Sequence, residues 1–167
     1  MSEKLTENDI KKIKEEIEHR KLVVRKEAIE AVKEARAQGD LSENFEYYAA
    51  KRDKNKNESR IRYLERMLKT AQIVSDESKD DELGINNVVE VFFVDDNMSE
   101  KYKIVTSVRG NSMKGYISIE SPIGKAIIKH KVGDVVTVKV NDDISYRVEI
   151  KSIDKSVDDE NDSIRSF

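Results

Sequence analysis

The residues with the clearest chemical potential lie in one stretch, Ala37-Gln38-Gly39-Asp40-Leu41-Ser42-Glu43-Asn44-Phe45-Glu46-Tyr47-Tyr48-Ala49-Ala50-Lys51. Asp40 and Glu43 stand three apart at the start of a predicted helix, so their carboxylates can converge. Hard oxygen donors of this kind suit Mg²⁺, which is typically held by one or two carboxylates while water or substrate phosphates complete the shell. Two carboxylates alone bind it weakly, so a partner must supply the rest. Negative side chains also favour a helix N-terminus, and on spacing alone capping is the stronger account of both acids.

Other catalytic signals are absent from the chain. There is no Gly-rich phosphate loop and no GxSxG motif, and the two histidines, His19 and His130, fall far apart in different predicted domains. The lack of cysteine excludes disulfides, thiolate metal sites and a Cys nucleophile.

The elements that must position the acids are long helices. Residues 6–38 contain neither Gly nor Pro, and Thr6 with Asp9 makes a weak capping box with Leu5 as a staple residue. Ile10, Ile13, Ile17, Val24, Ala28, Val32 and Ala35 follow steps of mostly three and four, interrupted by Arg20. This is the spacing of a helix with one buried seam. Gly39 is the expected C′ residue, and Ser42 or Asp40 the expected cap of a second helix over about 43–73. Its seam runs Tyr47, Ala50, Lys54, Asn57, Ile61, Leu64, Leu68, Ala71, a heptad pattern with two polar members. Joined by so short a connection, the helices must lie antiparallel. A stalk of roughly 45–50 Å carries its tip acids into a recess that a globular domain could not enter.

Beyond the hairpin the period changes. The stretch 75–84 is polar and acidic and reads as a linker ending at Gly84. Alternating β-rich runs follow at 87–94, 102–108, 116–119, 134–140 and 145–153. Residues 121–131 suit a short helix with Ser121 as N-cap and Pro122 at the first position. The expected organisation is α+β: a two-helix coiled-coil hairpin over 1–74, a linker over 75–84, a β-rich domain over 85–154 and an acidic, flexible tail over 155–167.

Charged residues make up 39% of the chain and hydrophobic ones 37%, with a net charge of −3. That balance suits an elongated molecule with a large solvated surface rather than one large core. The opening MSEKLTENDI lacks a signal-peptide pattern and no apolar run approaches a membrane span, so a soluble, cytoplasmic protein is expected.

The segment EARAQGDLSENFEYYAAK, with Glu58-Ser59-Arg60-Ile61 and later ISIESPIGKA (117–126), closely resembles the bacterial Gre transcript-cleavage factors. The likeness spans most of the chain. It implies an FKBP-like second domain, without prolyl isomerase activity since fold does not fix function. It further implies docking at the rim of the secondary channel of bacterial RNA polymerase, with the hairpin threaded inward. Asp40 and Glu43 match the family's catalytic pair. They would help hold an Mg²⁺ shared with the polymerase active site, none being bound stably by the free protein. The implied outcome is hydrolysis at the 3′ end of backtracked nascent RNA, by the polymerase and not by this chain as an enzyme. Lys51 and Arg52 are expected to face RNA, Asn44 and Tyr47 to support the tip, and Ser121 and Pro122 to lie near the docking surface. No membrane partner is expected, and the free protein is expected to be a monomer.

The sequence also departs from the family pattern. Arg20 stands for a leucine, which should weaken the seam. Phe45 and Tyr48 replace a smaller residue and a histidine, and residues 107–112 lack an acidic motif. An alternative is therefore a homologue that occupies the same channel and inhibits or modulates transcription without cleavage. The retained Asp40 and Glu43 argue against it.

Overall fold

A computed structural model describes residues 2–39 and 44–166. The chain divides into two compact units, one built on Glu7–Gln72 and the other on Ile73–Ser166 with Glu3–Thr6.

The first unit is a helical hairpin. Helix α1 (Glu7–His19) runs through a π-helical turn at Arg20–Val24 into α2 (Arg25–Ala37), and α3 (Phe45–Thr70) returns. Partners across the pair descend one helix as they climb the other: Glu16 bonds Arg60, Arg20 bonds Asn57, and Ala35 meets Asn44. The helices are antiparallel, as expected. At 26 residues, α3 extends about 39 Å. Ile13, Ile17, Ala35, Ile61, Leu64 and Met67 are the buried apolar members of the seam.

The helix expected over 6–38 contains a π turn that begins at Arg20. There the Arg25 N–H donates to the Arg20 carbonyl, five residues back instead of four. Arg20 Nε donates to Glu16 Oε2 at 2.7 Å and its Nη1 to Asn57 Oδ1 at 3.0 Å. Asn57 Nδ2 returns a bond to the Arg20 carbonyl at 3.2 Å. Arg60 also grips Glu16 through Nε at 2.8 Å and Nη2 at 3.2 Å. Arg20 therefore does not simply weaken the seam, because its charge is satisfied within a cross-helix network. Leu22 and Val23 pass off the seam and are exposed.

The second unit is a five-stranded sheet. Apart from it, β1 (Lys4–Leu5) and β2 (Gln72–Ile73) form a small ladder, and the Val74 N–H donates to the Leu5 carbonyl. The main sheet comprises β3 (Val88–Phe93), β4 (Met98–Val105), β5 (Tyr116–Ser118), β6 (Val135–Lys139) and β7 (Ser145–Asp154), in the spatial order β5-β4-β3-β7-β6. All neighbours are antiparallel except β4 and β5. One face of each central strand points inward, as strand pleating requires: Val89 and Val91 from β3, Val148 and Ile150 from β7. Helix α4 (Pro122–Ile127) adds the buried Ile127. Each such side chain, fully buried, contributes about 1.5–3 kcal/mol. Gly124 is required, since a Cβ there would lie 2.0 Å from the Ser118 carbonyl oxygen. The α+β architecture, hairpin first and helix-covered sheet second, is the one expected.

Two segment assignments need correction. The stretch 75–84 is not all linker. Leu83 is fully buried in the sheet core, and its N–H and carbonyl bond the His130 carbonyl and the Lys129 N–H, each at 2.8 Å. Residues 155–166 are not a free tail: Asp159 is buried, and Asp162 pairs with Lys103 and Arg109. Composition hid both, because single anchoring residues lie within polar runs.

Candidate functional site

The tip is built from the end of α2 and the start of α3. Helix α2 stops at Ala37, and Gln38 follows with φ −89° and ψ 8°. Gly39 then takes φ +132°, a region that side chains disfavour and glycine reaches freely. Asp40 and Glu43, with Leu41 and Ser42, lie outside the described residues.

Asn44, not Ser42 or Asp40, caps α3. Its Oδ1 accepts the Tyr47 N–H at 2.9 Å, while its Nδ2 donates to the Ala35 carbonyl at 2.6 Å. One amide thus satisfies an orphan donor of α3 and an orphan acceptor of α2, two groups that helix ends leave open. It also ties the helices together on the two sides of residues 40–43.

Tyr47 is half-buried on the inner face of the same turn. The Arg36 guanidinium lies 5.6 Å from its ring centroid, a cation–π contact. A hydrogen bond with Arg36 draws the Tyr47 hydroxyl below its ordinary pKa, partial burial opposes this, and Lys51 and Lys54 add to the lowering. The Tyr48 ring meets Tyr47 edge-on at 5.5 Å. Lys51 and Arg52 are exposed on α3, as is Phe45 at 85%. Arg36 escaped sequence reading as a tip residue. Its place in the last turn of α2, where cations are favoured, was the available signal.

Asn44, Tyr47, Ala35 and Arg36 are therefore brought together around the ends of the two helices. Ser121 and Pro122 belong to the second unit and begin α4. Ser121 Oγ accepts the Gly124 N–H at 3.1 Å and donates to the Ser118 carbonyl at 2.6 Å, and Pro122 is exposed at the first helical position.

Among the described residues no three of His, Asp and Glu converge to hold a metal. Asp40 and Glu43 would add two oxygen donors, too few to complete the octahedral shell of Mg²⁺. Such a donor set fits an ion shared with another molecule rather than one held by this chain alone. No described helix is long and apolar enough to cross a membrane.

Family models and relatives agree on what chain this tip belongs to. Residues 3–73 match the model described as transcription elongation factor, N-terminal, and residues 77–155 match transcription elongation factor, GreA/GreB, C-terminal. The transcription elongation factor GreA of Lachnoclostridium phytofermentans is 40% identical over 153 residues, covering 91% of this chain and 95% of that protein. GreA of Thermoanaerobacter pseudethanolicus is 47% identical over 137 residues, covering 81% and 87%. Among solved structures, GreA factor homolog 1 of Thermus thermophilus is 26% identical and covers 92% of this chain and 99% of its own, with a TM-score of 0.43. On the evidence of the two family matches and these relatives, the chain belongs to the GreA/GreB family of transcription elongation factors.

Proposed function

We propose that this protein enters the secondary channel of RNA polymerase, hairpin first, and stimulates the polymerase's own cleavage of backtracked RNA. The chain acts as an accessory factor and leaves the covalent chemistry to the polymerase. Asp40 and Glu43 supply the two oxygen donors. When bound, the shared Mg²⁺ polarises the phosphate and lowers the pKa of water. The two carboxylates would hold the ion jointly with the polymerase and orient the attacking water. Positioning substitutes for intrinsic affinity, since placing groups correctly is worth several powers of ten in effective molarity. Asn44 and the Arg36–Tyr47 contact hold the helix ends that carry the acids. Lys51 and Arg52 offer cations to the RNA phosphates, and the exposed start of α4 at Ser121 and Pro122 contributes to docking.

The observation that carries this reading is the pair Asp40 and Glu43 set between two helices that Asn44 clasps, in a chain matched by the family at both ends. The test is cleavage of 3′-labelled RNA in a stalled, backtracked complex. Asp40→Asn and Glu43→Gln should each lower the rate by about 10²-fold or more. Undiminished cleavage by both variants would refute the mechanism.

A further inference from the structure

The described residues after Lys155 form no strand or helix, and they begin where the family match ends. They nonetheless deliver a carboxylate to a built cationic site. Lys103 Nζ lies 3.0 and 2.9 Å from the two oxygens of Asp162, and Arg109 Nη1 lies 2.8 Å from Oδ2. The side chains of Lys103, Arg109 and Asp162 are 5%, 0% and 4% exposed. Arg109 Nη1 also donates to Asn86 Oδ1 at 2.7 Å, and Lys103 Nζ to the Asp158 carbonyl at 2.6 Å.

The two sides of this contact differ in how they are fixed. Lys103 sits within β4, paired to Val88 on one side and Tyr116 on the other. Arg109 closes a 3₁₀ turn at Ser107–Arg109, its Nε directed to Thr106 Oγ1 and its N–H to the Thr106 carbonyl. The cations are therefore placed by the sheet. The carboxylate comes from an irregular segment whose other ties include the Arg165 N–H to the Val108 carbonyl at 2.7 Å and the Arg165–Glu3 ion pair at 2.8 Å. Two desolvated cations with fixed, converging donors require an oxyanion. Nothing in that requirement demands that the anion be covalently attached.

We propose that Lys103 and Arg109 form an oxyanion-binding site of the second unit, and that the C-terminal segment is its tethered ligand. Tethering gives the carboxylate a high effective concentration, so the site stays filled until Asp162 is removed. Free phosphate then takes its place.

Thermal unfolding of the full chain tests this with inorganic phosphate as the probe and chloride at equal ionic strength as the reference. Asp162→Ala should melt several degrees below the wild type in chloride, and millimolar phosphate should restore much of that loss in a saturable manner. The wild type should gain little. Acetate as a third arm shows whether a carboxylate serves as well as phosphate. Adding Lys103→Met to Asp162→Ala should abolish the phosphate-specific gain. Should the alanine variant not fold, Asp162→Ser, whose shorter side chain still leaves room for the anion, replaces it under the same expectations. The proposal is overturned if phosphate raises variant and wild type equally, or if Lys103→Met leaves the gain unchanged.

Discussion

Asn44 concentrates the tip's dependence on local chemistry into a single amide. Removing an N-cap side chain costs about 0.5–2 kcal/mol, and the bond to the Ala35 carbonyl adds about 0.5–1.5 kcal/mol. Asn44→Ala should therefore destabilise the hairpin by about 1–3 kcal/mol in urea unfolding and speed hydrogen exchange at the Tyr47 amide, whose acceptor is lost. Asn44→Asp keeps the acceptor but not the donor to Ala35. It should preserve Tyr47 protection while loosening the tie between the helices. On the proposed function, displacing the acids in this way should lower cleavage by about tenfold or more in either variant. Normal cleavage by a folded Asn44→Ala protein would separate the clasp from the activity.

At the scale of elements, a charge network joins the apolar seam in holding the middle of the hairpin. Burial pushes Glu16 upward, but hydrogen bonds from Arg60 and Arg20 outweigh it and hold its carboxyl below the ordinary value of 4.5. A carboxylate whose folded pKa is depressed stabilises the fold at pH above its unfolded value, and that contribution disappears as pH falls through the folded value. The stability gap between the wild type and Glu16→Gln should therefore be full at neutral pH and shrink below about pH 4.5. Urea unfolding across that range measures it; a gap independent of pH would contradict the network's role. Arg20→Leu alone should be costly because it leaves the buried Asn57 without its guanidinium partner. Replacing both by leucine should recover stability, as apolar substitutes for buried polar networks often do.

The same elements show what the sequence made readable. Both helices and five strands were legible because their apolar residues repeat with the right period over long runs. The first four residues of β4, Met98-Ser99-Glu100-Lys101, carry no apolar alternation and were missed. They are strand because β3 pairs with them, from Phe93↔Met98 to Glu90↔Lys101. The π turn is not legible locally, since Arg20 meets its partner Asn57 only across 37 residues of chain. The clasp was not legible, since the Asn44–Ala35 bond exists only once both helices end in register. The tail's anchor was hidden for the same reason: Asp162 looks like any acid in an acidic run until Lys103 and Arg109 are placed. Asp162 also lands beside residues 107–112, the stretch whose acidic character the sequence lacks.

For the whole molecule, the proposed function assigns chemistry to the first unit and docking to the second, and kinetics can separate the two. A substitution that removes an interaction made only during reaction lowers the saturated rate, whereas one that weakens binding alone raises the concentration needed to saturate. Asp40→Asn should therefore depress the cleavage rate at saturating factor while leaving the half-saturating concentration nearly unchanged. Pro122→Ala should do the reverse. Pro122 is the residue to choose because it is exposed and its loss breaks no hydrogen bond, proline at the first helical position having no N–H to lose. Ser121→Ala is a poorer probe, since it would strip the cap from Gly124 and alter α4 itself. A rim contact truncated in this way should raise half-saturation by roughly 2–10-fold. If Pro122→Ala lowered the saturated rate instead, with half-saturation unmoved, the division of labour between the units would be wrong even with the tip acids correctly assigned.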